Sequence, residues 1–207
     1  VLLLLITLNS FAQERGWKFG LNVDPAITWL SAKDGLDSDG SRVGIEASAI
    51  AEKYFVKNIS FYLGLSFMDM GGKVKNVSEN DLRFSDFDLK SLTTAKLHAQ
   101  YLSFPLGIKL STNDFAGLYS IYFSGGLVTG FRVGGEIKDA TGKEHYVSGD
   151  VSMMMAGAQF GTGVRYSLGS TYLIGGIKYN HGFTDILKGS PLNSQLRSFS
   201  LSLGILF

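Results

Sequence analysis

Ser198-Phe199-Ser200-Leu201-Ser202-Leu203-Gly204-Ile205-Leu206-Phe207 closes the chain with large apolar residues at every odd position and serine or glycine at the even positions up to Gly204. A period of two is that of a β-strand, whose side chains point alternately to opposite faces. One face of this strand is therefore continuous hydrocarbon and the other small and polar. Seven segments upstream repeat the pattern: Trp17-Phe19-Leu21-Val23, Val43-Ile45-Ala47-Ala49-Ala51, Ile59-Phe61-Leu63-Leu65-Phe67, Leu102-Phe104-Leu106-Ile108-Leu110, Tyr119-Ile121-Phe123 continuing to Phe131-Val133, Ala156-Ala158-Phe160-Thr162-Val164-Tyr166, and Leu173 with Ile177 and Tyr179.

None of these large-residue faces carries a charge. A soluble barrel or sandwich directs its charges outward, whereas a lysine or arginine facing lipid near the bilayer midplane costs about 2–4 kcal/mol and is excluded. The opposite faces hold Gly20, Gly44, Gly64, Gly107, Gly126, Gly161, Gly163, Gly176 and Gly204, with Lys18, Asp24, Arg42, Glu46, Lys109, Arg132, Arg165 and Lys178. The expectation is an all-β, eight-stranded antiparallel up-and-down transmembrane barrel, apolar outside and with a narrow polar interior. Asp24, Glu46 and Lys178 fall at similar heights on inward faces and are expected to meet as a lumen charge cluster.

The connections alternate in length. Segments 31–41, 71–96, 134–150 and 184–195 read as long polar loops, and 53–58, 111–117 and 168–170 as short turns. Long outer loops and short periplasmic turns are the outer-membrane arrangement, and an even strand count puts both termini in the periplasm. Trp17, Tyr54, Phe55, Tyr119, Tyr166, Tyr172 and Phe207 at one set of strand ends, and Trp29, Phe67, Phe131 and Phe183 at the other, read as interfacial girdles. Val1 to Leu8 is too short an apolar run to span a bilayer as a helix; with Ser10-Phe11-Ala12 it reads as the remnant of a signal peptide cut after Ala12. The expected division is residues 1–12 as signal remnant and 13–207 as barrel.

Composition excludes much else. There is no cysteine, so disulfides, thiolate catalysis and Cys-ligated metals are absent; 19 Lys and Arg against 18 Asp and Glu leave a charge of +1 and no field for nucleic acid. The loop from Asp34 to Gly40 partly matches a calcium loop, but its first position would be Gly35 where Asp belongs, and its twelfth, Glu46, lies in the barrel wall. His98-Ala99-Gln100 lacks the His-x-Ser spacing of lipid A deacylation, His145 lies in a loop with Ser148, and His181 precedes Thr184 and Asp185; each reads as a surface or rim histidine rather than a catalytic base. Gly125-Gly126 and Gly175-Gly176 precede no helix, so they are not phosphate loops; they read as places where strands curve and the interior stays open. No catalytic, cofactor or metal site is expected.

Ser10-Phe11-Ala12-Gln13, the run Tyr101-Leu102-Ser103-Phe104-Pro105-Leu106-Gly107-Ile108-Lys109-Leu110 and the closing Ser202-Leu203-Gly204-Ile205-Leu206-Phe207 resemble the small outer-membrane β-barrel family abundant in Bacteroidetes-type bacteria, the porin-like or PorT-type proteins. Members often carry an acidic residue where Ser103 stands. The resemblance implies an outer-membrane location and, for some relatives, a part in secretion and gliding machinery. Leu203, Ile205 and Phe207 look like the signal read by the barrel-assembly machinery. The partners expected are thus outer-membrane lipid, that machinery, and an envelope or secretion protein. The leading reading is a non-enzymatic outer-membrane protein with loops or turns as its interaction surface; the alternatives are a lipid-modifying barrel enzyme and a soluble secreted barrel binding an apolar ligand.

Overall fold

The computed structural model describes residues 16–32, 36–56, 58–76, 83–84, 87–88, 95–138, 144–146, 152–186 and 194–207. The proposed signal segment lies outside them. Eight long strands form the wall: β1 (Trp17–Ala32), β2 (Arg42–Val56), β3 (Ile59–Asn76), β4 (Ala95–Ser111), β5 (Tyr119–Lys138), β6 (Met154–Leu168), β7 (Thr171–Asp185) and β8 (Ser194–Leu206). Each pairs antiparallel with the next, and β8 pairs with β1 from Gly20↔Leu206 to Ala32↔Ser194, which closes the sheet. Closure leaves no free edge, so every wall strand has both hydrogen-bonding flanks occupied, the condition for a sheet to exist in hydrocarbon. Beyond the wall, Leu36–Gly40 pairs with the end of β3 and Glu144–Tyr146 with the end of β5.

Alternation fixes what each face meets. Leu21, Val23 and Ile27, then Leu63, Leu65 and Phe67, then Phe104, Leu106 and Ile108, and finally Leu201, Leu203 and Ile205 stand exposed on the outside. The register aligns them into a belt, Leu63↔Leu106↔Leu127 in one row and Phe67↔Leu102↔Phe131 in a higher one. A soluble protein does not expose a contiguous band of this kind.

The strands outrun the membrane. A spanning strand needs about 9–11 residues, whereas β3 has 18 and β5 has 20. The expected loops 71–96 and 134–150 therefore begin later than the sequence indicates, because β3 and β5 continue as paired ladder to Asn76 and Lys138. Likewise β2 continues to Val56, through most of the expected turn 53–58.

The interior departs from a uniformly polar lining. Toward the long-loop end, Leu30, Met68, Met70, Leu97, Ala99, Tyr101, Val128, Met155 and Leu196 are buried and fill the lumen with apolar bulk. Thr28 ties β1 to β3 there: its Oγ1 donates to the Gly71 carbonyl at 2.6 Å and accepts from the Gly71 amide at 3.1 Å. The other half is polar but filled as well. Gly107 pairs across the ladder with Gly126, and Gly163 with Gly176. A Cβ at 107 or 126 would fall 2.7 or 2.6 Å from the Tyr62 hydroxyl, and one at 163 or 176 would fall 2.8 or 2.6 Å from that of Tyr122. These four glycines do not keep the interior open: a Cβ would meet first a carbonyl of the facing strand, at 2.3–2.5 Å, and then the hydroxyl of a tyrosine reaching from the strand next to each pair.

Candidate functional site

Asp24 and Glu46 are direct cross-strand partners on β1 and β2. Two carboxylates in that position repel. Lys178 of β7 reaches them from across β8 and bonds both, contacting Asp24 Oδ2 and lying 2.8 Å from Glu46 Oε2. Asp24 also accepts from Ser202 Oγ at 3.0 Å and the Leu203 amide at 3.3 Å. Asp24 is wholly buried and Glu46 nearly so. The three residues singled out in the sequence thus form one cluster. Because Glu46 is committed to the lumen, it is not free to complete a calcium loop; the side chains of Asp34 to Asp39 lie outside those described.

Nearer the short-turn end sits a second network. Lys109 of β4 bonds Glu52 Oε1, and the other Glu52 oxygen accepts from the Tyr54 hydroxyl at 3.1 Å. That hydroxyl accepts in turn from Arg165, whose Nε donates to Ser120 Oγ at 3.3 Å. Lys109 also lies 5.0 Å from the centre of the Tyr122 ring, and Lys18 3.7 Å from that of Tyr172, distances at which an aromatic face attracts a cation. Sequence reasoning misses Glu52, although it follows Glu46 at an even spacing and must share its face. Tyr54 and Tyr172, assigned above to the girdle, point inward for the same reason. The girdle positions Tyr119, Tyr166, Phe67, Phe131 and Phe183 do face out.

Between the two networks lies a cavity of about 60 Å³, bordered by Asn22, Glu46, Tyr62, Lys109, Gln159 and Lys178 among others. Its polar walls and size suit a few water molecules.

A third cluster lies above the apolar belt, and it includes Arg42, which alternation places on an inward face but which reaches the outward-facing Asp69. Asp69 Oδ1 accepts from Arg42 at 2.6 Å and lies 2.9 Å from His98 Nε2 without a hydrogen bond between them, and His98 Nδ1 lies 3.3 Å from Glu136 Oε1. Both imidazole nitrogens thus face carboxylates. His181 Nδ1 lies 3.2 Å from the Tyr179 hydroxyl, and the side chain of His145 is outside those described. Among the described residues no group of His, Asp and Glu is arranged to hold a metal ion. At the end of the chain the Phe207 amide and carbonyl each bond Phe19 at 2.8 Å, completing the β8–β1 seam.

A closed antiparallel barrel with an apolar outer belt and a filled, charge-paired lumen defines the class of small β-barrel membrane proteins. Residues 11–188 match the outer membrane protein beta-barrel domain family, and the chain belongs to that family. Its location is accordingly the bacterial outer membrane. Among solved structures, a major outer membrane protein from Thermus thermophilus is similar at 11% identity and a TM-score of 0.51, over 93% of this chain and 99% of that one. Neisserial surface protein A matches at 18% identity and 0.47, over 91% and 95%. The attachment invasion locus protein Ail of Yersinia pestis matches at 12% and 0.46, over 93% and 99%. These likenesses concern the fold. No curated protein matches the chain.

Proposed function

We propose that this chain is a non-enzymatic integral outer-membrane protein that offers its long-loop end to a partner and uses its lumen as a structural plug, with both termini and the short turns in the periplasm. The observation that carries this reading is that the lumen is filled. Asp24, Glu46 and Glu52 are paired with Lys178 and Lys109, Lys18 and Arg165 rest against tyrosines, tyrosines occupy the space over the glycine pairs, and the half toward the long loops is apolar bulk. No space for a passing solute or a substrate remains, so a surface is what the barrel can offer.

Membership of the PorT-type subgroup and an accessory part in secretion or envelope machinery, which the resemblance implies, belong to this proposal. So do cleavage after Ala12 and recognition of Leu203, Ile205 and Phe207 by the assembly machinery. Orientation is directly testable because the sequence has no cysteine. Ser41→Cys at the long-loop end is expected to react with a membrane-impermeant maleimide in intact cells. Asp114→Cys in the turn between β4 and β5 is expected to react only after the outer membrane is permeabilised. The reverse pattern overturns the orientation, and intact mass of the mature protein checks the cleavage.

A further inference from the structure

The ladder above the belt contains a row of like charges. Lys73 on β3 pairs in register with Lys96 on β4, and Lys96 pairs with Lys138 on β5. Directly opposed residues on antiparallel neighbours lie about 5 Å apart and share a face, so like charges there are destabilising. Beyond Lys138 the register position belongs to Glu144, and on the other side of Lys73 to Gly40. The positive charge thus centres on Lys73 and Lys96, neither of which has an ion pair among the described residues, with Glu136 on the diagonal from Lys96. Lys96 is exposed and Lys73 partly so, while Gly72 and Leu97 beside them are buried toward the lumen. Lys73 and Lys96 therefore stand on the outer wall, the wall that continues below as the lipid-facing belt.

We propose that this row is a binding site for the phosphorylated headgroup of an outer-leaflet glycolipid. Charge complementarity and height select that occupant. Lys73 lies six positions beyond Phe67, the last outward apolar residue of β3; at about 3.3 Å per residue and the usual strand tilt this puts the lysines about 15 Å above the belt. An ordinary phospholipid headgroup layer is only about 5–7 Å thick. The row stands above that layer, at the level of the sugars and phosphates of a bulky glycolipid whose acyl chains lie against the belt of the same strands. Lysine stems extend downward along the wall and widen the reach. A bound phosphate offsets the repulsion that the bare row carries.

The site rests on the long-loop end facing outward, which the Ser41→Cys experiment tests by itself; binding in micelles does not depend on orientation. The full chain in neutral detergent is titrated with phosphorylated lipopolysaccharide, with the same lipopolysaccharide after phosphate removal, and with heparin. Wild type is expected to bind the phosphorylated form with an affinity that falls as salt is raised. Lys73→Gln with Lys96→Gln is expected to weaken it about thirtyfold, from ~1 kcal/mol per lysine at an anionic surface. Lys73→Arg with Lys96→Arg retains binding, and heat-dependent gel mobility verifies that both variants are folded. Equal binding by the Gln variant, or by the phosphate-free lipid, overturns the proposal. Tighter binding of heparin through the same lysines overturns the lipid as occupant in favour of a soluble polyanion. If the Gln variant does not fold, salt-insensitive binding by wild type overturns it on its own.

Discussion

Lys178 carries the largest electrostatic burden of any described residue, because it is the cation between two acids that the β1–β2 register forces side by side. Removing one member of a buried ion pair costs about 3–5 kcal/mol, since the partner is left charged and unsolvated. Lys178→Met strands two partners and is expected to lower the barrel's thermal midpoint and urea resistance by at least that order. Glu46→Lys combined with Lys178→Glu restores one opposed pair and is expected to recover part of the loss. An unchanged midpoint for Lys178→Met, with loss of a cellular phenotype, would turn the cluster from plug to functional site. The cluster is legible in the sequence because alternation alone decides which residues face inward. Glu52, Tyr54 and Tyr172 obey the same parity. They escape a sequence reading because aromatics at strand ends suggest a girdle, and because the expected turn at 53–58 cuts β2 short just beyond Glu52.

Strands β4 and β5 show what an element's small residues are for. Gly126 faces Gly107 across the ladder beneath the Tyr62 ring, whereas Gly175 has nothing within 4 Å of where its Cβ would be. Overpacking a filled interior costs about 1–3 kcal/mol. Gly126→Ala is expected to lose stability in that range, and Gly175→Ala, a change of identical chemistry, to leave the denaturation midpoint near wild type. Equal effects at the two positions would mean that strand propensity, not the Leu106 carbonyl and Tyr62 hydroxyl that crowd Gly126, decides. The seam belongs to the same scale. Phe207 makes two backbone bonds to Phe19, so its deletion removes the last rung between β8 and β1 as well as the proposed assembly signal. Deleting Phe207, or replacing it with Asp, is expected to reduce the folded protein recovered from outer membranes. A deletion that matches wild type in amount and heat-dependent mobility would assign no assembly role to this residue.

At the scale of the molecule, the exterior is legible from sequence and the interior only in part. Lipid imposes one requirement on every outward side chain, so Leu63, Phe104 and Leu203 announce themselves by size and parity. The lumen imposes only that its contents fit together. Where both faces are apolar, as at Phe67-Met68 and Leu102 beside Tyr101, alternation loses contrast, and the apolar filling of the long-loop half does not stand out from a polar lining.

That filling decides the last prediction. An eight-stranded barrel is about as wide as its side chains require. Here Met68, Tyr101 and Leu30 close the half toward the long loops and the Glu52–Lys109–Tyr54–Arg165 network occupies the other, leaving a cavity of about 60 Å³ between them. An ion crossing this lumen would have to shed most of its water and separate Lys178 from its acids, a cost of several kcal/mol for each step. The full barrel in a planar bilayer is therefore expected to show no steady conductance above the lipid background in concentrated KCl. Tyr101→Ala, Met68→Ala and Lys178→Met, which together remove outer bulk and the central cation, are expected to raise current only if the variant keeps its heat-dependent mobility shift. A stable open level in the wild-type protein would show that the plug moves, and would return the lumen charges to the list of transport determinants.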